Sequence, residues 1–450
     1  MENKEILTLI NKEPMNTDEI ENILSKTNIA DIAEIFGNID EEDKDKLIAL
    51  YRALPKNLAA DVFAYMNIDG QQIIVEAISD AELEEILNHL FVDDTVDFIE
   101  ELPDNVVSRV FKHIHPEKKE HIDKIMQHPE NSAGSIMTTE YVSLSEEETV
   151  KEAFDHIRSI GVNKETIYTC YVVGKDKVLV GVITAKTLLL SNPEERIGYI
   201  MKSDPVFART TDDREEVARL FRKYGFLAMP VVDQEQKLVG IITVDDIMHV
   251  IEKENTEDIE KMHALTPSDE PYLKTNIFRL ARNRFTWLLV LMLSATITGT
   301  IMASYEEALS TLPILMAFIP MIMGTGGNAG CQASTLIIRG MALGEIKIRD
   351  VLRVFWRELR VATLCSLGLC VINFIRIYLM HDGDLMLSFA VTASLFFTIV
   401  MAKSVGCILP ITVKLIKIDP ALVASPLLTT IVDGTSLIIY FTIARAVFNM

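Results

Sequence analysis

The sequence has few of the residues that build disulfide or zinc frameworks. It has only five cysteines in 450 residues, and none of them forms a Cys-x-x-Cys pair. No glycine-rich loop is followed by Gly-Lys-Ser/Thr, which excludes a P-loop. We also find no supported nucleophile or catalytic metal cluster, so we expect no enzymatic function. The first ten residues are charged and lack an apolar signal-peptide core, which predicts a cytosolic N-terminal part.

Acidic residues are scarce in the last part of the chain and abundant before it. Residues 276–450 contain nine acidic and 14 basic side chains, whereas the first 275 residues contain 56 acidic and 29 basic ones. The net charges are therefore +5 and −27. An acidic soluble part beside an anionic membrane surface disfavours nucleic acid or lipid headgroups as its partners and favours cations.

Five apolar segments in the last part are long enough to cross a bilayer as helices. They are residues 285–305, 308–338, 361–380, 385–413 and 421–448. Lysines and arginines cluster before the first segment, between the second and third, and between the fourth and fifth. This asymmetry predicts a multi-pass protein of the cell's inner membrane, with the N-terminus in the cytoplasm and the C-terminus outside.

Asp433 is the only formal charge in residues 421–444. A lone carboxylate inside a membrane is costly and is by default a functional site for an ion or a proton. Helical spacing gives it a polar face. That face comprises Ser425, Thr429, Asp433, Ser436 and Tyr440. The pattern predicts that this face lines a water-filled pathway. The alternative is a contact between helices that buries a protonated Asp433.

A second polar face occurs in the second crossing, within the glycine-rich stretch 324–334. Gly324, Asn328, Gln332 and Thr335 share one side of a helix, which indicates a second pathway wall. The small residues also favour close helix packing. A dinucleotide-binding loop is rejected because no βαβ frame surrounds the stretch. Lys403 interrupts the fourth crossing, and we expect it to extend to the membrane interface rather than pair with a buried acid.

The soluble part contains two internal duplications. LPKNLAADVF at 54–63 is echoed by LPDNVVSRVF at 102–111, which suggests a helical solenoid over the first 130 residues. After it, SIMTTEYVSL pairs with YIMKSDPVFA, and LVGVITAKTLL with LVGIITVDDIM. Each copy reads strand, helix, strand, strand, helix and resembles a tandem cystathionine-β-synthase (CBS) pair. A charged helix follows from residue 245, and Pro267 is expected to end it.

The CBS pair carries one nucleotide signal. Thr243 and Asp246 fit the Thr-x-x-Asp pattern with which such modules hold adenosine phosphates and ribose. The first copy has Thr184 and Thr187 and lacks the Asp. We therefore expect ATP to be possible at one site per chain.

The whole chain resembles the MgtE family of magnesium transporters and channels. The resemblance rests on GTGGNAGCQASTLIIRGMALGEI, on DPALV at 419–423 and on PLLTTIVDGTSLIIY, in that domain order. It implies a homodimer for magnesium uptake whose pore is lined by the second and fifth crossings. It also implies a magnesium site at Asp433, aided by Thr429 and Ser425, and a connecting "plug" helix that closes the pore when cytosolic magnesium is high. Ser425 stands where relatives commonly have Asn.

The same resemblance implies magnesium-binding positions in the acidic part, where ions hold the domains together. These positions are Asp93, Asp97, Asp213, Glu215, Glu216, Asp246, Glu254, Glu257, Asp258 and Asp419. Without ions the carboxylates should repel. Gly225 and His249 stand where relatives often have Asp, which predicts a weaker sensor. From the residues alone, a solvated acidic surface is the competing interpretation.

The predicted fold class is multidomain. An α-helical superhelical domain covers residues 1–130, an α+β tandem CBS pair covers 131–253, a connecting helix covers 245–270, and a transmembrane domain of five helices covers 275–450. The predicted function is Mg²⁺ transport gated by intracellular Mg²⁺. Two alternatives remain: a less selective pore for Co²⁺, Ni²⁺ or Mn²⁺, and a nucleotide-sensing membrane receptor. The choice between channel and coupled carrier also stays open.

Overall fold

The computed structural model describes two compact units, Met1–Ile251 and Glu252–Met450. The residues that it describes are 22–37, 39, 43–268, 272, 275–423 and 426–449. Ser425 lies outside them. The predicted fold class is confirmed, because a helical part, two strand-containing modules and five long apolar helices follow one another along the chain.

The first unit opens with short helices of nine or ten residues. They are α1 (Ile29–Gly37), α2 (Lys44–Arg52), α3 (Lys56–Tyr65), α4 (Ile68–Ala77), α5 (Asp80–His89), α6 (Val92–Glu101), α7 (Asp104–His113) and α8 (Pro116–Ile125). Side-chain caps begin several of them. Asn67 accepts from the Gly70 amide, and Ser79 forms a capping box with Glu82. The duplicated LP-x-N motif places a proline directly before α3 and α7.

Two small sheets follow, one in each CBS copy. The first contains β1 (Ser143–Ser145), α9 (Val150–Ile160), β2 (Thr169–Val173), β3 (Leu179–Thr184), α10 (Ala185–Leu190), α11 (Ile197–Ile200) and β4 (Lys202–Ser203). The second contains β5 (Ala208–Arg209), α12 (Arg214–Tyr224), β6 (Ala228–Val232) and β7 (Leu238–Thr243). In both sheets the first pair is parallel, the second is antiparallel, and a bulge interrupts the same position of the second pair.

The two copies exchange their opening segments. Met201, from the opening of the second copy, packs on Gly181 of β3; a Cβ on Gly181 would lie 2.5 Å from its Sδ. Met137, from the opening of the first copy, packs on Gly240 of β7 in the same way. The repeated Ile-Met and Leu-Val-Gly sequences are therefore two halves of one contact, in which glycine leaves room for the methionine sulfur.

The helix α13 (Val244–Met262) carries the chain from the first unit into the second. We expected Pro267 to end it, and that prediction is wrong. The helix ends five residues earlier, where Ala264 adopts a left-handed conformation (φ 57°). The Leu265 amide then donates to the Glu260 carbonyl at 2.9 Å, which closes the helix with a Schellman-type turn.

The second unit contains five helices that are long and apolar enough to cross a membrane. They are α14 (Ile277–Ser304), α16 (Ile319–Ala342), α17 (Val351–Met380), α18 (Leu385–Leu415) and α19 (Pro426–Phe448), with the short α15 (Glu306–Thr311) after the first. The predicted number of crossings is confirmed, but four of the five starts differ. The first span begins at Ile277 and the third about ten residues before its predicted start, because the basic residues there are already helical. The second span begins later than predicted, at Pro313 in a 3₁₀ turn, and so does the fifth, at Pro426.

In this bundle α18 has the central position and packs against α16, α17 and α19. Its buried side includes small and apolar residues such as Ala402, Gly406 and Ile399. Lys403 lies on the same side and is only 6% exposed. The expectation that it extends to the interface is therefore wrong, since three neighbouring helices surround this face.

Candidate functional site

Asp433 lies near the middle of α19 and is half-buried against its own chain. Within the described residues, no hydrogen bond or ion pair to its carboxylate is found. Thr429 is one turn away, also half-buried, and its hydroxyl donates to the Pro426 carbonyl at 3.0 Å. A Cβ on Gly327 would lie 3.8 Å from the Thr429 methyl, so a glycine of α16 lets the two helices approach here.

The polar face of α16 also points away from the interior of the chain. Gly324, Asn328, Gln332 and Thr335 are all exposed, whereas Gly326, Ala329, Gly330 and Ala333 on the other side are buried. The predicted grouping of these four polar positions on one open side of the helix is therefore confirmed. Together with Asp433 it gives the bundle two polar surfaces that its own helices do not cover.

Two members of the predicted stripe on α19 do not belong to that surface. Ser436 and Tyr440 are fully buried, and the Tyr440 hydroxyl donates to the Leu315 carbonyl at 2.9 Å. The prediction that they line a pathway is wrong. Helical spacing places them beside Asp433, but the segment before α16 covers Tyr440, and Ser436 lies against Gly326 of α16.

A second candidate site lies in the first unit, where α6 and the start of α13 bring acidic residues together. Asp93 and Asp94 are in the first turn of α6, and Asp245 and Asp246 are in the first turn of α13. Burial, followed by repulsion from Asp246 and Asp94, raises the pKa of Asp93 well above its ordinary value. Such shifts mark carboxylates held together without a neutralising cation.

The neighbouring groups show the same effect. Burial is the largest cause for each of them, and nearby carboxylates add to it: the pKa of Asp94 is raised to about 6 and that of Glu165 to about 8. The pKa of Asp246 is raised to about 7, although a hydrogen bond from Thr243 opposes the rise. Asp97 contributes to the repulsion at Asp94 and Asp246. Burial and mutual repulsion therefore disfavour the ionised form of these carboxylates, whereas a bound cation would favour it.

Of this cluster, the sequence pointed to Asp93, Asp97 and Asp246 and missed Asp94, Asp245, Glu140 and Glu165. Glu140 accepts a hydrogen bond from the Val92 amide at 2.8 Å, at the start of α6. Glu165 lies in the loop before β2, with one carboxylate oxygen buried and without a partner among the described atoms. No local sequence signal marks these residues, because only the tertiary fold brings them to α6.

One lysine borders the acidic cluster. Lys118 of α8 donates to the carbonyls of Leu87, at 2.7 Å, and Leu90. Burial lowers its pKa to about 8, against the attraction of Glu140, Asp94 and Asp93. The Lys118 ammonium thus hydrogen-bonds to the end of α5, so it neutralises the neighbouring carboxylates only in part.

The other predicted magnesium positions lie on α12, on α13 and in the connection before α19. Asp213 caps α12 by accepting from the Glu215 amide at 2.8 Å, and Glu216 pairs with Arg219 at 2.7 Å. In the second unit, Glu254, Glu257 and Asp258 are half-buried on α13. Lys261 of the same helix contacts both Glu257, at 2.5 Å, and Asp419, at 2.8 Å.

The candidate nucleotide residues contact each other. Thr243 donates to the Asp246 carboxylate at 2.5 Å, across the junction of β7 and α13. In the first copy, Thr184 caps α10 and its hydroxyl hydrogen-bonds with that of Thr187. Asp246 therefore belongs both to the nucleotide pattern and to the acidic cluster.

The carboxylates do not form a finished cage for a bare ion. In the part of the chain that the structure describes, no three His, Cys, Asp or Glu side chains are arranged to hold a metal. Carboxylates that form no closed cage can still hold a cation through its water shell, and Mg²⁺ keeps several of its waters when it binds.

Comparisons with known proteins agree with this arrangement. Residues 319–443 match the family profile described as "Divalent cation transporter", residues 4–131 the "MgtE intracellular N domain", and residues 133–192 and 197–253 the CBS domain. The chain is 34% identical over 433 residues to the magnesium transporter MgtE of Thermus thermophilus, covering 96% of this chain and 95% of the relative.

The chain belongs to the MgtE family. The Bacillus subtilis MgtE is similar too, at 32% identity over 91% of this chain and 92% of that protein. A solved structure, the soluble part of a magnesium transporter, matches 56% of this chain and 97% of its own length, with a TM-score of 0.51 and 27% identity. The transporter profile covers both the polar face of α16 and Asp433, so the family match includes both open surfaces of the bundle.

Proposed function

We propose that this MgtE-family protein carries Mg²⁺ across the inner membrane of its cell and that the ion passes Asp433. One observation carries the proposal: the only formal charge in the middle of α19 is an Asp whose carboxylate, in the described part of the chain, has no protein partner. A buried charge without a protein partner needs a cation or water to persist in a membrane. Its relatives in Thermus and Bacillus are named magnesium transporters, which supports this choice of cation.

Asp433 and Thr429 would hold the ion through its water shell, with Ser425 nearby in sequence. A hydrated dication is bound strongly enough to enter such a site and weakly enough to leave it, because no inner-shell water has to be removed. Asn328 and Gln332 on α16 add amide groups that hydrogen-bond the same shell. The relatives of this chain are named as transporters, which supports transport rather than an enzymatic reaction.

A homodimer would complete the pathway. One chain supplies two polar surfaces, on α16 and at Asp433, and both face away from its own interior. A second copy related by a two-fold axis would place four such surfaces around one channel. It would also bring two Asp433 carboxylates to one ion, which doubles the negative charge at the site.

Regulation would come from the acidic positions of the soluble part. Burial, and then repulsion between neighbouring carboxylates, raises the pKa of Asp93, Asp94 and Glu165, and a bound magnesium ion would neutralise these charges. We propose magnesium binding at Asp93, Asp97, Asp213, Glu215, Glu216, Asp246, Glu254, Glu257, Asp258 and Asp419. Binding would hold the cytoplasmic part closed and stop transport when internal magnesium is plentiful.

ATP would bind at the second CBS copy through Thr243 and Asp246. The hydrogen bond between them orients both groups at the end of β7. Because Asp246 also faces the other carboxylates of the acidic cluster, nucleotide and magnesium would share one residue. Binding of either ligand should therefore alter the affinity for the other.

Transport and regulation are tested in proteoliposomes that contain the full-length protein. We expect Mg²⁺ flux that falls as magnesium rises on the face that carries the soluble part, and that loses this dependence when residues 1–250 are deleted. Repeating the assay with Co²⁺, Ni²⁺ and Mn²⁺ measures selectivity, and imposing voltage or proton gradients separates a channel from a coupled carrier. Absence of magnesium flux from well-folded protein would contradict the proposal.

A further inference from the structure

The end of α13 is fastened to one end of the membrane bundle, which we call the linked end. It consists of the C-terminal ends of α16 and α18 and the start of α19. Met262, the last residue of α13, packs with Ile337 and Met341 of α16 and with Ile411 of α18. The neighbouring residue, Lys261, reaches Asp419 in the connection that leads to α19. Both contacts lie within the second unit.

Lys261 forms ion pairs with two carboxylates at once. Its ammonium lies 2.5 Å from Glu257 Oε1, one turn earlier on α13, and 2.8 Å from Asp419 Oδ2. The Lys261 side chain is 20% exposed, and those of its partners are 32% and 34% exposed. Two carboxylates from different parts of the second unit thus share one ammonium at hydrogen-bonding distance.

Asp419 is itself fixed by the backbone. Its other carboxylate oxygen accepts from the Ala421 amide at 2.9 Å and so begins the 3₁₀ turn Pro420–Val423 that precedes α19. Because one carboxylate contacts both Lys261 and this turn, the end of α13 is coupled to the start of the helix that carries Asp433. A shift of α13 would have to break a charge-assisted hydrogen bond or move that turn.

We propose that Lys261 is a built-in cation that holds α13 to the linked end of the bundle in the absence of magnesium. Glu257 and Asp419 without a cation would repel each other across the junction, as the carboxylates of the first unit do. The ammonium occupies the place between them that a bound Mg²⁺ would otherwise have to fill. Magnesium then acts on the other acidic positions, whereas Glu257 and Asp419, proposed above as magnesium positions, keep the lysine as their cation.

The inference rests on the proposed function only where transport is measured. It gives a direct prediction for the magnesium concentration that half-inhibits flux. In Lys261→Gln the two carboxylates lose their cation, the closed arrangement weakens, and that concentration should rise about fivefold or more. Lys261→Arg keeps the charge and should stay near wild type. Lys253→Gln removes a charge from an exposed position of the same helix and is the matched control.

A second measurement does not depend on conduction. Amide hydrogen exchange of residues 257–268 in magnesium-free buffer should be about tenfold faster in Lys261→Gln than in wild type, because a charge-assisted contact is lost. Exchange in Lys253→Gln should not change. A double-mutant cycle tests whether Lys261 and Asp419 act through the same contact. The amides of the Lys261→Gln, Asp419→Asn double variant should exchange no faster than those of the faster single variant.

The outcomes separate the two proposals. Unchanged exchange in Lys261→Gln would overturn the built-in cation, whether or not the protein conducts magnesium. A lower half-inhibiting concentration in that variant would also overturn it, since the lysine would then compete with magnesium for Glu257 and Asp419. Faster exchange without any wild-type flux would keep the lysine contact and contradict the transport function alone.

Discussion

Gly406 of α18 packs directly against the backbone of Gly330 of α16. A Cβ on Gly406 would collide with the Gly330 carbonyl oxygen, and one on Gly330 would lie 3.2 Å from the Ala402 carbonyl. The two helices therefore touch backbone to backbone, which small residues permit in membranes. This contact fixes α16, whose opposite side carries the polar face.

Gly406→Ala should disrupt the bundle, because the added methyl group meets backbone atoms that have no free volume. We expect a loss of about 2 kcal/mol or more in stability, with a lower melting temperature and reduced magnesium flux. Gly368→Ala on α17 is the control, since a Cβ there meets nothing within 4 Å. Equal melting temperatures for the two variants in detergent would contradict the close contact.

Asp433→Asn should abolish most transport and leave the fold intact. Asparagine keeps the shape of the side chain but removes two negative charges from the proposed dimer, so the hydrated ion loses its electrostatic anchor. We expect flux to fall about tenfold or more. Asp382→Asn, in an exposed turn outside the helices, should transport normally. Wild-type flux from a correctly folded Asp433→Asn protein would rule out an ion site at this residue.

The acidic cluster should make the stability of the soluble unit depend on pH when magnesium is absent. The pKa values of Glu165, about 8, and Asp246, about 7, are raised above their ordinary values. The stability that these protonated carboxyl groups contribute to the fold is fully present below about pH 4 and is lost as the pH rises towards 8. In magnesium-free buffer the melting temperature should therefore be lower at pH 8 than at pH 6.

Two additions test the cause of that pH dependence. Magnesium should raise the melting temperature more at pH 8 than at pH 6, because more carboxylates are then ionised. Glu165→Gln should raise the magnesium-free value at pH 8 by roughly 3 °C, the shift for about 1 kcal/mol in a domain of this size, and should weaken the response to magnesium. Glu194→Gln, at an exposed position, is the control. A pH response unchanged by Glu165→Gln would assign it to other groups.

The residues at positions 225 and 249 should influence the magnesium concentration at which transport stops. Gly225 ends α12 in a left-handed conformation (φ 65°), and a Cβ there meets nothing within 4 Å. His249 is exposed on α13. Asp at both positions adds carboxylates, so the double variant should close at lower magnesium. Gly225→Asn with His249→Asn is the uncharged control, since asparagine also tolerates the left-handed conformation.

Patch recordings over a range of magnesium concentrations measure the midpoint of closure in the wild type and in both double variants. Identical midpoints in the Asp and Asn variants would place these two positions outside the sensor.

Much of the architecture could be predicted from the sequence because each part has its own periodicity. The 48-residue repeat predicted a helical solenoid, and in the structure each copy of the motif begins a helix, after Pro55 and after Pro103; the duplicated strands predicted two similar sheets. Boundaries were less accurate. Hydropathy placed the start of the third crossing after Arg360, whereas helical backbone continues through Arg353 and Arg357, whose long side chains extend to water.

The candidate sites were predictable only where one element contains them. The exposed face of α16 follows from spacing alone, but spacing could not show that Tyr440 is covered by the segment near Leu315 and Ser436 by α16 at Gly326. Glu140 and Glu165 reach the acidic cluster through loops, and Met137 and Met201 exchange partners between copies. Such contacts depend on tertiary packing, which has no local signature in the sequence.

The position of α14 has a consequence for synthesis. Its main helix partner is α19: the rings of Tyr305 and Phe441 stack at 4.7 Å, and Ile301 packs beside Gly434. The first crossing to leave the ribosome thus pairs with the last. At about 5–20 residues per second, it waits in the bilayer for roughly 10 s until α19 is made. A truncated chain that ends before Pro426 therefore exposes the side of α14 that packs on α19, and membrane proteases can recognise that exposed side.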